Sequence, residues 1–249
     1  IELIETPDHL LDLSSETFGG WWVGYQSTND LGIDYTFNPM NQAQVNPYRF
    51  EAVVSNNGAS NQTNVTMHID VQDIAGTSVW STTSTPMTLY VMSNDTLTTP
   101  TFSPSMMGYH QINYWVTSDS FPSTDTIGRG TVVTDTVYGV DFDWDSDGSN
   151  AGNGYYLGRS CGGQVLGNAF DIYTDDTATS ISFHVNAQSV AGAQVAVLLY
   201  EIDPMVTPYS PIYLGQSDDY TLTMADLDSW ITLKLSNSIP LTQGVTYIA

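Results

Sequence analysis

A chain of 249 residues with 27 acidic side chains against four basic ones (Arg49, Arg129, Arg159 and Lys234) carries a formal charge of -23. Nucleic acids and anionic membrane surfaces are bound by cations that displace counterions, so this balance excludes both as partners. A hydrophobic content of 41% with 12% aromatics separates the chain from disordered acidic tails, which are poor in those residues, and its length is enough for two packed cores.

Stability must come from those cores, from ions or from neighbours, because the single cysteine, Cys161, cannot form an internal disulfide. No apolar run approaches the roughly 20 residues of a membrane helix, so membrane insertion is not expected. Ile1 opens the chain without a methionine or a signal segment. The apolar ending at Thr246, Tyr247 and Ile248 reads as the last strand of an unfinished sheet that another copy could complete, and the natural protein is expected to continue past Ala249.

In chain order, apolar residues recur at period two, the signature of half-buried strands. They run through Tyr48, Phe50, Ala52 and Val54, then Val65, Met67, Ile69 and Val71, then Ile112, Tyr114 and Val116. The pattern resumes at Ile181, Phe183 and Val185 and at Val195, Val197 and Leu199. Between the first two runs, Ser55-Asn56-Asn57-Gly58 predicts a hairpin turn with positive φ at Asn-Gly. The one helical turn expected lies at 223–228. Short strands between polar turns predict an all-β chain of two tandem β-sandwiches. Residues 1–10 end a preceding domain or linker, 11–137 form the first sandwich and 138–249 the second.

The string DYTFNPMNQAQ at 34–44, with YRFEAVVSNNG at 48–58, QTNVTMHIDV at 62–71 and the exit DTVY at 135–138, resembles the immunoglobulin-like modules of type IX-secreted bacterial surface proteins. GYYLG at 154–158 through VAVLLYEID at 195–203 resembles the jelly-roll-like sandwich that follows such modules. IELIETPDH at 1–9 looks like the closing strand of a cleaved-adhesin-type domain. The resemblance implies an immunoglobulin-like domain followed by a jelly-roll-like one, at the cell surface or in the extracellular space.

Several patterns could carry chemistry. Asp141, Asp143, Asp145 and Asp147 alternate before Gly148, so a loop curling there could converge carboxylates on Ca²⁺, a hard cation that takes six to eight oxygens; a solvated acidic strand is the alternative. The twelfth position of an EF-hand counted from Asp143 is Gly154, where a bidentate Glu is required. Gly158-Arg159-Ser160-Cys161-Gly162 fits G-x-S-x-G, but that elbow needs a strand-to-helix turn in a parallel sheet, not a loop of an all-β chain. His9, His68, His110 and His184 lack the paired spacing of a zinc site. The pairs Asp175-Asp176 and Asp218-Asp219 are what a chain with 27 acids contains by chance. Sugar binding would use exposed flat rings, for which Trp21, Trp22, Tyr155, Tyr156 and Trp230 are candidates.

Asp-Thr followed by an aliphatic residue occurs at Thr96, Thr126, Thr136 and Thr177, resembling the O-glycosylation signal of exported proteins in the same bacterial group. The expectation is a non-enzymatic extracellular module of a large secreted surface protein, acting as spacer, adhesive surface or polymer or filament subunit. Its partners would be extracellular glycans, neighbouring surface proteins or further copies of itself. The alternative is an accessory, carbohydrate-binding type of module beside a secreted protease or glycan-degrading enzyme.

Overall fold

A computed structural model describes residues 7–17, 22–23, 26–27, 35–140, 166–202 and 211–249. The chain divides into two compact units, Ile1–Asp143 and Trp144–Ala249, and the described residues are all-β apart from two short helical segments.

The first unit contains β1 (Leu11–Thr17), β2 (Trp22–Val23), β3 (Gln26–Ser27), β4 (Phe37–Pro39), α1 (Met40–Val45), β5 (Glu51–Asn56), β6 (Gln62–Asp73), β7 (Ser78–Thr83), β8 (Met87–Leu89), β9 (Asn94–Thr98), β10 (Gly108–Thr117) and β11 (Ile127–Thr134). One sheet has the order β1-β5-β9. The other has the order β4-β11-β10-β6-β7 with β8 also on β6, and β2 and β3 pair separately. All pairings are antiparallel except that of β4 with β11.

Period-two alternation decides which side chains enter the core. Val65, Met67, Ile69 and Val71 of β6 and Ile112, Tyr114 and Val116 of β10 are fully buried. They form one cluster with Leu11, Leu13, Ala52, Val54 and Leu97 of the opposite sheet, the packing of a β-sandwich. Each such aliphatic contributes roughly 1.5–3 kcal/mol. An aromatic chain runs through the same core: Phe50 lies 5.5 Å from Trp80 and 6.1 Å from Tyr114, and Trp80 lies 5.4 Å from Phe102.

Asn56, Asn57 and Gly58 do not form the expected hairpin. None of the three has positive φ, because β5 and β6 belong to different sheets and the segment between them is a crossing. Asn56 organises that crossing: its Nδ2 donates to the carbonyls of Ser60, Leu89 and Tyr90 at 3.0–3.2 Å, and its Oδ1 accepts from the Gly58 N–H at 3.1 Å. Gly58 is required by close approach, since a Cβ there would sit 2.7 Å from the Asp8 carbonyl oxygen and 2.8 Å from the Leu10 nitrogen.

The helix α1 was not expected. Six residues are too few to display a 3.6-residue period, and its start is set by Pro39, whose φ of -57° suits the N-cap position. Gln42 and Ala43 are its buried residues.

The second unit contains β12 (Ala169–Asp171), β13 (Asp176–Val185), β14 (Gln194–Val195), β15 (Leu198–Ile202), β16 (Pro211–Gln216), β17 (Tyr220–Thr221), a 3₁₀ turn at Met224–Asp226, β18 (Ser229–Leu241) and β19 (Thr246–Ile248). Its sheets are β12-β19-β15-β16, β13-β18 and β14-β17. Ile172, Val185, Val197, Leu199, Ile202, Leu235, Ile239 and Tyr247 are buried. The 3₁₀ turn lies within the expected 223–228 segment and begins with a capping box of Thr223 and Asp226, in which the Thr223 N–H donates to the Asp226 carboxylate at 2.7 Å; the Thr223 hydroxyl also donates to that carboxylate at 2.7 Å. The expected open edge at the chain's last strand is absent, because β19 is paired on one side with β12 and on the other with β15.

Among the described residues, one ion pair joins the sheets of the first unit. Arg129 lies on the β11 face that carries the buried Thr131 and Val133, and it reaches the nearly buried Glu16 of β1 at 2.7 Å. Removing one partner of such a pair strands the other charge. Arg129→Ala should therefore lower the unfolding free energy by about 2–4 kcal/mol, and replacing Arg129 and Glu16 together by leucine should restore most of that loss. Urea unfolding of the three proteins checks this; an unchanged midpoint for Arg129→Ala contradicts it.

Candidate functional site

The alternation that buries one face of β6 and β10 leaves His68, Asp70 and Gln72 of β6 and Gln111, Asn113 and Trp115 of β10 on the other. The antiparallel register places them opposite one another in rows: His68 faces Trp115, Asp70 faces Asn113 and Gln72 faces Gln111. On the far side of β6, Thr83 faces His68 and Ser81 faces Asp70. Beyond β10, Gly128 faces Asn113 and Gly130 faces Gln111. The space above these glycines is taken by neighbouring side chains: a Cβ at Gly128 would meet the Gln111 amide at 2.5 Å, and one at Gly130 would meet the Tyr109 ring at 3.0 Å.

The first row is aromatic. The His68 and Trp115 rings are stacked, with centroids 5.2 Å apart and planes 5° from parallel. The His68 Nε2 is 2.9 Å from the Thr117 hydroxyl, which fixes the imidazole in place. Burial lowers the His68 pKa from its ordinary value of 6.5, which favours the neutral ring. In the second row Asp70 is clamped, its two carboxylate oxygens accepting from the Ser78 hydroxyl at 2.5 Å and from the Gln72 amide at 2.6 Å. Tyr109 donates its hydroxyl to Gln111. His68, Trp115, Asp70, Ser81 and Thr83 line a depression of 240 Å³ floored by Ile69 and Thr82. It holds one carboxylate, two hydroxyl side chains beside Thr82, two stacked rings and no cation.

Of the residues singled out from the sequence, His68 lies at this depression, and none of the others joins it among the described residues. Asp141, Asp143, Asp145 and Asp147, the G-x-S-x-G segment with Cys161, and Trp21, Tyr155 and Tyr156 lie outside the described residues, as does the side chain of Trp22. Among the described residues no three of His, Cys, Asp and Glu converge as metal ligands. Thr96 and Thr177 lie on strands β9 and β13, Thr126 just before β11 and Thr136 just after it, and all four are exposed. Trp230 is 46% exposed on β18, edge-on to His184 at 5.7 Å. Of the carboxylate pairs, Asp175 accepts from the Gln243 N–H and Asp176 from the Thr177 N–H, both at 2.8 Å, so this pair shapes local backbone. His110 is buried beside Phe102, and the His9 Nδ1 is 2.9 Å from the Gln62 amide. Sequence reasoning missed the His68–Trp115 pair because the two residues are brought together by strand register; the available signal was that both occupy polar phases of strongly alternating segments.

The lowered pKa gives the site a measurable pH signature. The unfolded chain takes up a proton at His68 more readily than the folded one, so the folded state is favoured above pH 6.5 and loses stability as pH falls through the depressed folded value. Between about pH 7.5 and pH 5, wild type should lose more stability than His68→Gln in matched urea titrations. Equal losses contradict the burial of this ring.

No family model matches the chain and no curated protein matches it. Among solved structures it is similar to a family 123 glycoside hydrolase from Clostridium perfringens, described for glycolipid glycan hydrolysis, with 11% identity, a TM-score of 0.34 and coverage of 52% of this chain and 28% of that one. It is also similar to the putative ApaA protein from Bordetella pertussis, with 11% identity, a TM-score of 0.29 and coverage of 53% of this chain and 100% of the other. At TM-scores this low neither likeness assigns a fold family or an activity.

Proposed function

We propose that the chain is a non-catalytic, extracellular part of a large secreted bacterial surface protein, with an immunoglobulin-like sandwich followed by a jelly-roll-like one, serving as a structural and adhesive surface. The observation that carries this is the face of β6 and β10. A firmly packed sandwich turns outward a flat, cation-free array of amides, hydroxyls, one clamped carboxylate and a stacked ring pair. Such a surface is suited to contact with other molecules, and the charge of -23 disfavours unspecific aggregation.

The exposure of Thr96, Thr126, Thr136 and Thr177 fits O-glycosylation at the four Asp-Thr sites. A calcium ion held by Asp141, Asp143, Asp145 and Asp147 belongs to the proposal on sequence grounds alone. Neighbouring surface proteins and further copies of the chain, including a polymer or filament of them, are the remaining partners proposed. The accessory-module alternative shares the same face and differs in what adjoins it in the parent protein.

Brief protease treatment of intact cells that produce the native protein should release peptides of this chain into the supernatant, and peptides containing the four threonines should carry mass beyond their sequence. Peptides that appear only after the cells are lysed would contradict the extracellular placement; unmodified peptides would remove the glycans and leave the placement intact.

A further inference from the structure

We infer that the depression beside the His68–Trp115 stack is a binding site for one ring of a neutral saccharide chain, with the chain continuing along the outer face of β10. This deepens the adhesive role proposed above and rests on it, by naming the ligand class and the residues that meet it.

Three features select this ligand. The two stacked rings cover one face of each other, and the outer face of the stack is flat and apolar with polar edges, which suits the C–H face of a sugar ring. Beside it the Asp70 carboxylate is held by Ser78 and Gln72, so it is fixed before a ligand arrives and can accept from sugar hydroxyls without losing side-chain freedom. Ser81 and Thr83 add hydroxyls that donate or accept. The arrangement alternates apolar and polar contacts over a few ångströms, as the surface of a sugar does.

Charge excludes the acidic alternatives. Asp70 lies in the depression, no Lys or Arg lines it, and the whole chain carries -23, so uronate, sulfate and phosphate groups are repelled. Size excludes a deep enclosing mode: 240 Å³ is below the roughly 300–1,000 Å³ of clefts that enclose a drug-sized ligand. The neighbouring side chains supply length instead. Trp115, Asn113, Gln111 and Tyr109 alternate along β10, a strip of about 20 Å at the usual strand rise, with Gly128 and Gly130 opposite its middle. A chain of several sugars laid along it would meet a ring, then amides, then a phenol. A protonated amine held against the indole face is the competing occupant.

The test is calorimetric titration of the purified chain with cellohexaose, xylohexaose, mannohexaose and chitohexaose, with polygalacturonate as the acidic probe and choline as the cationic one. At least one neutral hexasaccharide should bind. Trp115→Ala and Asp70→Asn should each weaken that binding at least about tenfold, while Trp230→Ala leaves it unchanged. Both site residues face outward, so melting temperatures should stay near wild type; if Trp115→Ala does not fold, Asp70→Asn carries the comparison alone. Binding by none of the four neutral sugars, binding that survives in the site variants that fold, or a response only to choline or polygalacturonate overturns the site. A chain released from intact cells that binds no sugar would remove this site and leave its surface placement standing.

Discussion

The pairing of β6 with β10 is the constraint on which the first unit depends. Eight consecutive residue pairs, from His110↔Asp73 to Thr117↔Thr66, set two alternating strands side by side in one phase. Seven fully buried apolar side chains on these strands then point into one core. The partners on their outer face are fixed by the same register, because a slip of one residue would turn every core side chain toward water. Core and outer face are therefore two consequences of a single pairing, and the site inherits its rigidity from the packing beneath it.

The other sheet is attached to this pair by polar contacts as well as by apolar packing. Asn56 satisfies three carbonyls and one N–H at the crossing between sheets, which stops a bend in buried backbone from leaving orphaned groups. The Arg129–Glu16 pair joins β11 to β1. In a chain with four cations, placing one of them between two sheets is a specific use of a scarce charge, and it leaves the outer face of β6 and β10 neutral or acidic.

Legibility in the sequence followed the strength of alternation. Val65 to Val71 and Ile112 to Val116 were readable because each run is buried on one face only. Ile181, Phe183 and Val185 were readable too, although the first two are only half-buried on β13. Helix α1 is not legible because six residues are too few to show a 3.6-residue period. The motif at Asn56 to Gly58 reads as a hairpin and is a crossing between sheets: a sequence shows that a turn follows a strand but not whether the next strand rejoins the same sheet. The site was hidden for a related reason. Trp115 and His68 are 47 positions apart by their numbering, and only the register between strands makes them neighbours, whereas Trp230 stood out by type and lies in the other unit. The candidate calcium ligands fall outside the described residues and are known from the sequence alone.

The most direct measurement is a solution NMR map of cross-strand contacts in the isotope-labelled chain. The β6–β10 register predicts backbone contacts between Asp70 and Asn113 and between Gln72 and Gln111, together with ring-current shifts on the His68 imidazole protons that vanish in Trp115→Ala. Contacts from Asp70 to Ile112 or Tyr114 instead, or His68 protons indifferent to loss of the indole, would place the strands one residue out of phase and contradict both the core and the site.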